Sequence, residues 1–296
     1  MIEMIKIFTY GIFIGSFEVV PGISGGTLAL LLNIYELLIS AIINIKTDFK
    51  KNFKFLATIV SGMGIGIYVF SHIILLLNEH YPIETNCTLA GLIVGLIPTI
   101  FKKSIGEKFS FKNFLAFILT LIFMIIINFI SIINSLDTNI SNGTILTSLN
   151  LMQFFKFIFV GSLSAFCLML PGCSGTMIML VFGIYFSVIN AIHSFNFLIL
   201  MPVGVGILLG LVFGAKTIDY CFTNFAKATY FGILGLIVGS AFTPFYSSIN
   251  LLVKLRQQLN NEFLVHFTLS ILFLLIGTIF SYYFSKKTND LNFKRS

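Results

Sequence analysis

An apolar run over residues 5–45 is too long for one bilayer crossing, and it is interrupted by Glu18-Val19-Val20-Pro21-Gly22-Ile23-Ser24-Gly25-Gly26-Thr27. Pro21 lacks a backbone donor and clashes with the preceding turn, and each glycine costs about 1 kcal/mol in a helix interior. The helix is therefore expected to break at Pro21-Gly22 and to restart near Ser24, with Ser24 or Thr27 capping the new start. A helix that starts inside a membrane presents unpaired N–H groups and the positive end of its dipole, which suits an anion. The device then returns as Leu170-Pro171-Gly172-Cys173-Ser174-Gly175-Thr176. Gly183-Ile184-Tyr185 follows the second copy as Asn33-Ile34-Tyr35 follows the first.

The arm 7–20 would span about 21 Å, short of a hydrocarbon core of roughly 30 Å. With 28–45 it reads as a pair of arms bent at the break, entering and leaving on one side. Full spans are expected at 55–77, 87–101, 114–133, 197–220, 228–246 and 263–284, with a second broken element at 154–192. The acidic stretch 79–84 reads as a loop, and so does the basic stretch 221–227. Only 10% of the residues are charged, and the mean hydropathy is +1.01. A soluble domain carries about 25% charged residues. The fold class is an all-α polytopic membrane protein.

Aligned with an offset of 150, Gly11, Pro21, Gly22, Ser24, Gly25, Leu30, Ile34, Tyr35, Ile39, Ala41 and Ile42 all recur. Gly91-Leu92-Ile93-Val94-Gly95 recurs as Gly235-Leu236-Ile237-Val238-Gly239. The repeats are placed at 1–134 and 151–284, joined by an external linker at 135–150 and followed by a basic tail at 285–296. Each repeat holds a broken or re-entrant element plus three spans. Three is odd, so the second repeat starts on the opposite side, which makes an inverted-topology repeat. Secondary transporters place their sites between such half-helix starts. The net charge of +7 sits mostly in short loops and the tail, as positive-inside placement requires. It argues for both termini in the cytoplasm, not for a nucleic-acid partner.

Several residues are open to two readings. Ser24, Gly25, Gly26, Thr27, Ser174, Gly175 and Thr176 either meet a phosphate through N–H and hydroxyl groups or only let helices pack closely. Glu18, an acid inside an apolar arm, is either a proton carrier or a cap on the break. Glu36 has the weaker case of the two acids. Lys216 is either a site cation or a snorkelling lysine beside Asp219. His72, Tyr35 and Tyr185 either reach the ligand or pack. Cys87, Cys167, Cys173 and Cys221 form no CxxC pair and read as small apolar residues. No HExxH, P-loop or Arg/His cluster is present, so neither an enzyme nor a cofactor or metal is expected.

Pro21-Gly22-Ile23-Ser24-Gly25-Gly26-Thr27, Asn33-Ile34-Tyr35-Glu36 and Pro171-Gly172-Cys173-Ser174-Gly175 resemble the PopT-type polyprenyl-phosphate translocases. The resemblance covers nearly the whole chain. It implies a flippase of a bacterial cytoplasmic membrane that returns undecaprenyl phosphate from the outer to the inner leaflet, coupled to protons or another ion. The implied ligand contacts are Glu18, Pro21, Gly22, Ser24, Gly25, Gly26, Thr27, Tyr35, Glu36, His72, Pro171, Gly172, Ser174, Gly175, Thr176, Tyr185 and Lys216. Asn33, Leu37 and Phe186 depart from the family pattern, where Gly, Arg and Glu are usual. The alternative is a secondary transporter of a small anion or ion with the same architecture.

Overall fold

The computed structural model describes residues 2–18, 24–32, 34–105, 111–136, 150–257 and 263–290. Within them the chain is helical: α1 Ile2–Glu18, α2 Gly25–Leu31, α3 Tyr35–Ile43, α4 Phe49–His80, α5 Pro82–Ile105 and α6 Phe111–Leu136. The order continues with α7 Leu151–Met169, α8 Gly175–Val181, α9 Tyr185–His193, α10 Phe197–Ser240, α11 Phe242–Gln257 and α12 Phe263–Asp290. Most of the linker 135–150 and the end of the tail 285–296 lie outside the described residues, and α12 continues to Asp290.

Among the described residues six helices are long and apolar enough to cross a membrane, and α8 with α9 forms a further pair bent by 114°. Continuous helix across 44 residues would run about 66 Å, twice the hydrocarbon thickness. α10 escapes this by turning at Phe225, where φ −137° and ψ 41° leave the helical range. The turn falls inside the stretch 221–227, and Asn224 and Lys227 beside it are polar and exposed. By contrast α5 begins at Pro82, so Glu84 belongs to a helix, where the acidic stretch 79–84 reads as a loop.

Lipid is as apolar as leucine, so burial alone does not hold such helices together, and close backbone packing has to. In the first half α1 packs on α4. A methyl group added to Gly62 or Gly66 would run into the backbone of Phe8, Ile12 or Ser16. In the second half α7 packs on the first arm of α10 in the same way, Gly206 and Gly210 lying against the backbone of Ile158 and Ser162. The two GLIVG stretches work across the halves. Gly91 and Gly95 of α5 receive Leu274 and Thr278 of α12, while Gly235 and Gly239 of α10 receive Phe117, Thr120 and Met124 of α6. Polar bonds fasten the second of these pairs. Thr120 Oγ1 donates to the Gly232 carbonyl at 2.8 Å, and Asn128 Nδ2 donates to the Gly239 carbonyl at 3.3 Å. Each half thus ends on a helix held by the other half.

Gly204 and Gly206 separate packing from composition. Nothing lies within 4 Å of a methyl group built on Gly204, whereas one on Gly206 meets the α7 backbone. Gly206→Leu is expected to cost about 1–3 kcal/mol or more by overpacking. Gly204→Leu should leave stability unchanged or slightly raised. Thermal unfolding midpoints in detergent check this, and equal midpoints for the two variants would contradict the α7–α10 packing.

Candidate functional site

The two breaks meet. Ser24 sits at the N-cap of α2 with extended backbone (φ −98°, ψ 148°), and its side chain accepts from the Thr27 N–H. That is the bond expected of a serine opening a helix. The Ser24 and Thr27 hydroxyls also serve the other half. The Gly172 N–H, freed by the second break, donates to Ser24 Oγ at 2.9 Å and to Thr27 Oγ1 at 2.8 Å. Ser24 and Thr27 are 1% and 2% exposed. Gly172 has φ +88°, a conformation open to glycine and costly for other residues, and its α-carbon lies against the backbone of Leu236 and Ile237. Pro171 beside it is fully buried. Tyr35 completes the seam, its hydroxyl donating to the Met169 carbonyl at 2.8 Å. A methyl group on Gly26 would press on the Met169 and Leu168 carbonyls, so that glycine lets the seam close.

The two helix starts differ. At the first, the Gly25 N–H donates to Glu18 Oε2 at 2.6 Å, so the chain's own carboxylate holds the position that an anion would take. At the second, Ser174 has the same extended backbone but makes no cap bond. Its Oγ instead lies 2.7 Å from Thr176 Oγ1, and Thr176 is exposed. The position matching Glu18 is Leu168, which brings no carboxylate. Gly175 is closed off from the rear, because Ser164 donates to its carbonyl at 2.7 Å and a methyl group there would strike the same hydroxyl.

Pro21 and Gly22 lie outside the described residues. Glu36 is exposed at the start of α3 and hydrogen-bonds to Tyr230. Tyr185 begins α9 with its ring edge-on to Phe186 at 5.1 Å. His72 and Lys216 are not brought into the seam. His72 is exposed on α4, with Nδ1 2.9 Å from the Tyr68 carbonyl. Lys216 is on the exposed face of α10, while Gly214, Ala215 and Ile218 around it are buried.

Two apolar cavities adjoin the first break. One of about 230 Å³ is lined by Thr27, Leu28, Phe13, Phe17 and Phe280 among others. A second of about 490 Å³ shares Phe17, Phe70 and Leu92 with it and extends between α1, α4, α5 and α12. On its wall is Glu84 of α5, one of a pair that the residue pattern did not single out, the other being His266 of α12. His266 Nδ1 lies 2.6 Å from Glu84 Oε1. The two are 182 residues apart, and neither stands in a motif, so only the packing of α5 on α12 joins them.

Broken helices that bond to each other within an apolar bundle of membrane-length helices define a multi-pass membrane protein. The chain belongs to the undecaprenyl phosphate translocase-like family, whose match spans residues 14–262. A polyprenyl-phosphate transporter of Staphylococcus aureus is 34% identical over 243 residues, covering 79% of this chain and 84% of that protein. A polyprenyl-phosphate transporter of Vibrio cholerae serotype O1 is 26% identical over 245 residues, covering 78% and 74%. No solved structure matches the chain.

The shared donor at the seam makes a specific expectation. Ser24→Ala or Thr27→Val alone leaves Gly172 one acceptor and should cost little beyond the local change. The double substitution orphans a buried N–H, a penalty of about 1–3 kcal/mol. A double-mutant cycle on unfolding free energies tests it. Strictly additive losses would contradict the shared bond.

Proposed function

We propose that this chain transports polyprenyl phosphate, undecaprenyl phosphate in particular, from the outer to the inner leaflet so that the carrier lipid is reused in wall assembly. The observation that carries the reading is contiguity. Thr27 accepts the Gly172 N–H at the seam and also lines the apolar cavity. A headgroup held at the breaks would therefore have space for its tail alongside. A small soluble anion would have no use for apolar cavities lined by Phe13, Phe17, Phe70 and Phe280. The names of the Staphylococcus and Vibrio relatives point the same way.

In this reading the two halves form an inverted repeat and expose one central site alternately to either side. The Ser174 and Thr176 hydroxyls meet the phosphate first, being the open side of the seam. Glu18 is the internal anion that the phosphate displaces from the Gly25 N–H. Ser24, Gly26, Tyr35, Pro171 and Gly172 hold the breaks together, and Gly25 and Gly175 keep the two starts narrow. Both termini lie in the cytoplasm, as the lysine distribution requires. The chain has the features of a carrier rather than of an enzyme.

Purified protein in proteoliposomes is expected to accelerate the leaflet exchange of labelled undecaprenyl phosphate and to leave trapped inorganic phosphate where it is. Movement of inorganic phosphate without lipid movement would replace this reading with the small-anion one. Orientation is checked alongside in whole cells: an impermeant maleimide should reach a cysteine placed at Ser141 and miss one placed at Thr47, and the reverse would invert the direction of transport.

A further inference from the structure

Glu84 is 3% exposed, yet its Oε2 has no hydrogen-bond partner among the described residues. Its Oε1 is engaged by His266 Nδ1 at 2.6 Å. Glu84 lines the cavity of about 490 Å³, whose wall is otherwise apolar apart from hydroxyl groups such as Ser16 and Thr88. A buried polar atom left without a partner is costly, so one that faces a cavity calls for an explanation. Packing does not supply it. α5 and α12 already meet in backbone contact at Gly91, Gly95 and Gly277, further along the same two helices.

We propose that Glu84 and His266 form a proton-binding site beside the tail cavity, and that loading this site drives transport. The inference rests on the lipid-phosphate reading above for its substrate, and on the pair's own geometry for its chemistry. With one proton between them, the pair is neutral overall, as carboxylate with imidazolium or as acid with imidazole. A second proton has one open place to go, the unpartnered Oε2, and the pair then carries a charge of +1. A lipid phosphate brings a negative headgroup into hydrocarbon, and each helix start offers only about half a positive charge. A cationic pair beside a cavity that shares Phe17, Phe70 and Leu92 with the cavity lined by Thr27 reduces the charge to be moved. When the proton leaves on the other side, that assistance is withdrawn and the lipid is released.

Other titratable groups stand on the elements packed around the pair. On its own helix Cys87 lies one turn on, hydrogen-bonded to Ser248 of α11 and Ser270 of α12. Tyr81, at the turn before α5, is exposed, as are Glu79 and His80 at the end of α4. Lys254 and Arg256, in the last turn of α11, are also exposed. α10, which packs on α5 as well, contributes the apolar Ile233, Leu234 and Ile237 to the core.

The test uses the full chain in proteoliposomes with labelled undecaprenyl phosphate and imposed pH gradients of either sign. The wild type should run faster under one gradient than the other. Glu84→Gln and His266→Gln should still bind the lipid in detergent but run at equal rates under both gradients, while Glu79→Gln, at the exposed end of α4, should keep the wild-type response. A second measurement needs no lipid and no transport: difference infrared spectra of the wild type across pH should contain a titrating carboxylic-acid band that Glu84→Gln removes. If both pair variants retain the gradient response, if Glu18→Gln alone loses it, or if a sodium gradient acts where pH does not, the proposal is overturned. Absence of the infrared band overturns it too. A wild type that moves no lipid phosphate would instead defeat the functional reading, and the infrared band would still decide whether the pair binds a proton.

Discussion

A backbone N–H released inside hydrocarbon has no water to turn to, so a helix can break there only where the protein itself supplies an acceptor. The bond from Gly172 to Ser24 and Thr27 meets that demand, and it does so across the two halves of the chain. The consequence is geometric. The second break is tolerable because Ser24 and Thr27, at the restart after the first, stand beside it. Small residues at Gly26 and Gly172 then set how near the two backbones come.

The bundle around the seam obeys the same economy of close approach. α1 with α4, and α7 with α10, are packed through glycines within a half, while α5 with α12 and α6 with α10 are packed through glycines between halves. Exchanging the last helix of each half ties the halves together, beside an apolar core to which Leu28, Ile34 and Ile93 of one half and Met169, Ile218 and Leu234 of the other all belong. Apolar cavities open beside that core, where α1, α4, α5 and α12 do not fill the space between them.

Much of this was legible in the residues. Proline and glycine within an apolar run announce a break, and a serine three residues on announces the restart. The GLIVG copies were visible as a repeat, and their glycines prove to be the places where helices from opposite halves touch. Glu18 showed as an acid in an apolar arm, and its bond to Gly25 is the cap that was one of its two readings. What could not be read was anything created by distant packing. Glu84 belongs to a stretch that looked like an acidic loop, and His266 is a lone histidine on an apolar helix. Their pairing depends on α5 lying against α12. The asymmetry of the two helix starts was equally hidden, since Ser24 and Ser174 stand in the same motif and have different partners in space.

The central claim is that headgroup and tail share one continuous site running from the seam into the apolar cavities. A polyprenyl phosphate bearing a photoactivatable group on the first isoprene units tests it most directly, with the labelled residues mapped by mass spectrometry. The account expects labelling at Phe17, Phe70 and Leu92, competed away by unlabelled undecaprenyl phosphate. Labelling confined to outward-facing positions such as Val60 and Leu208, insensitive to that competitor, would contradict it.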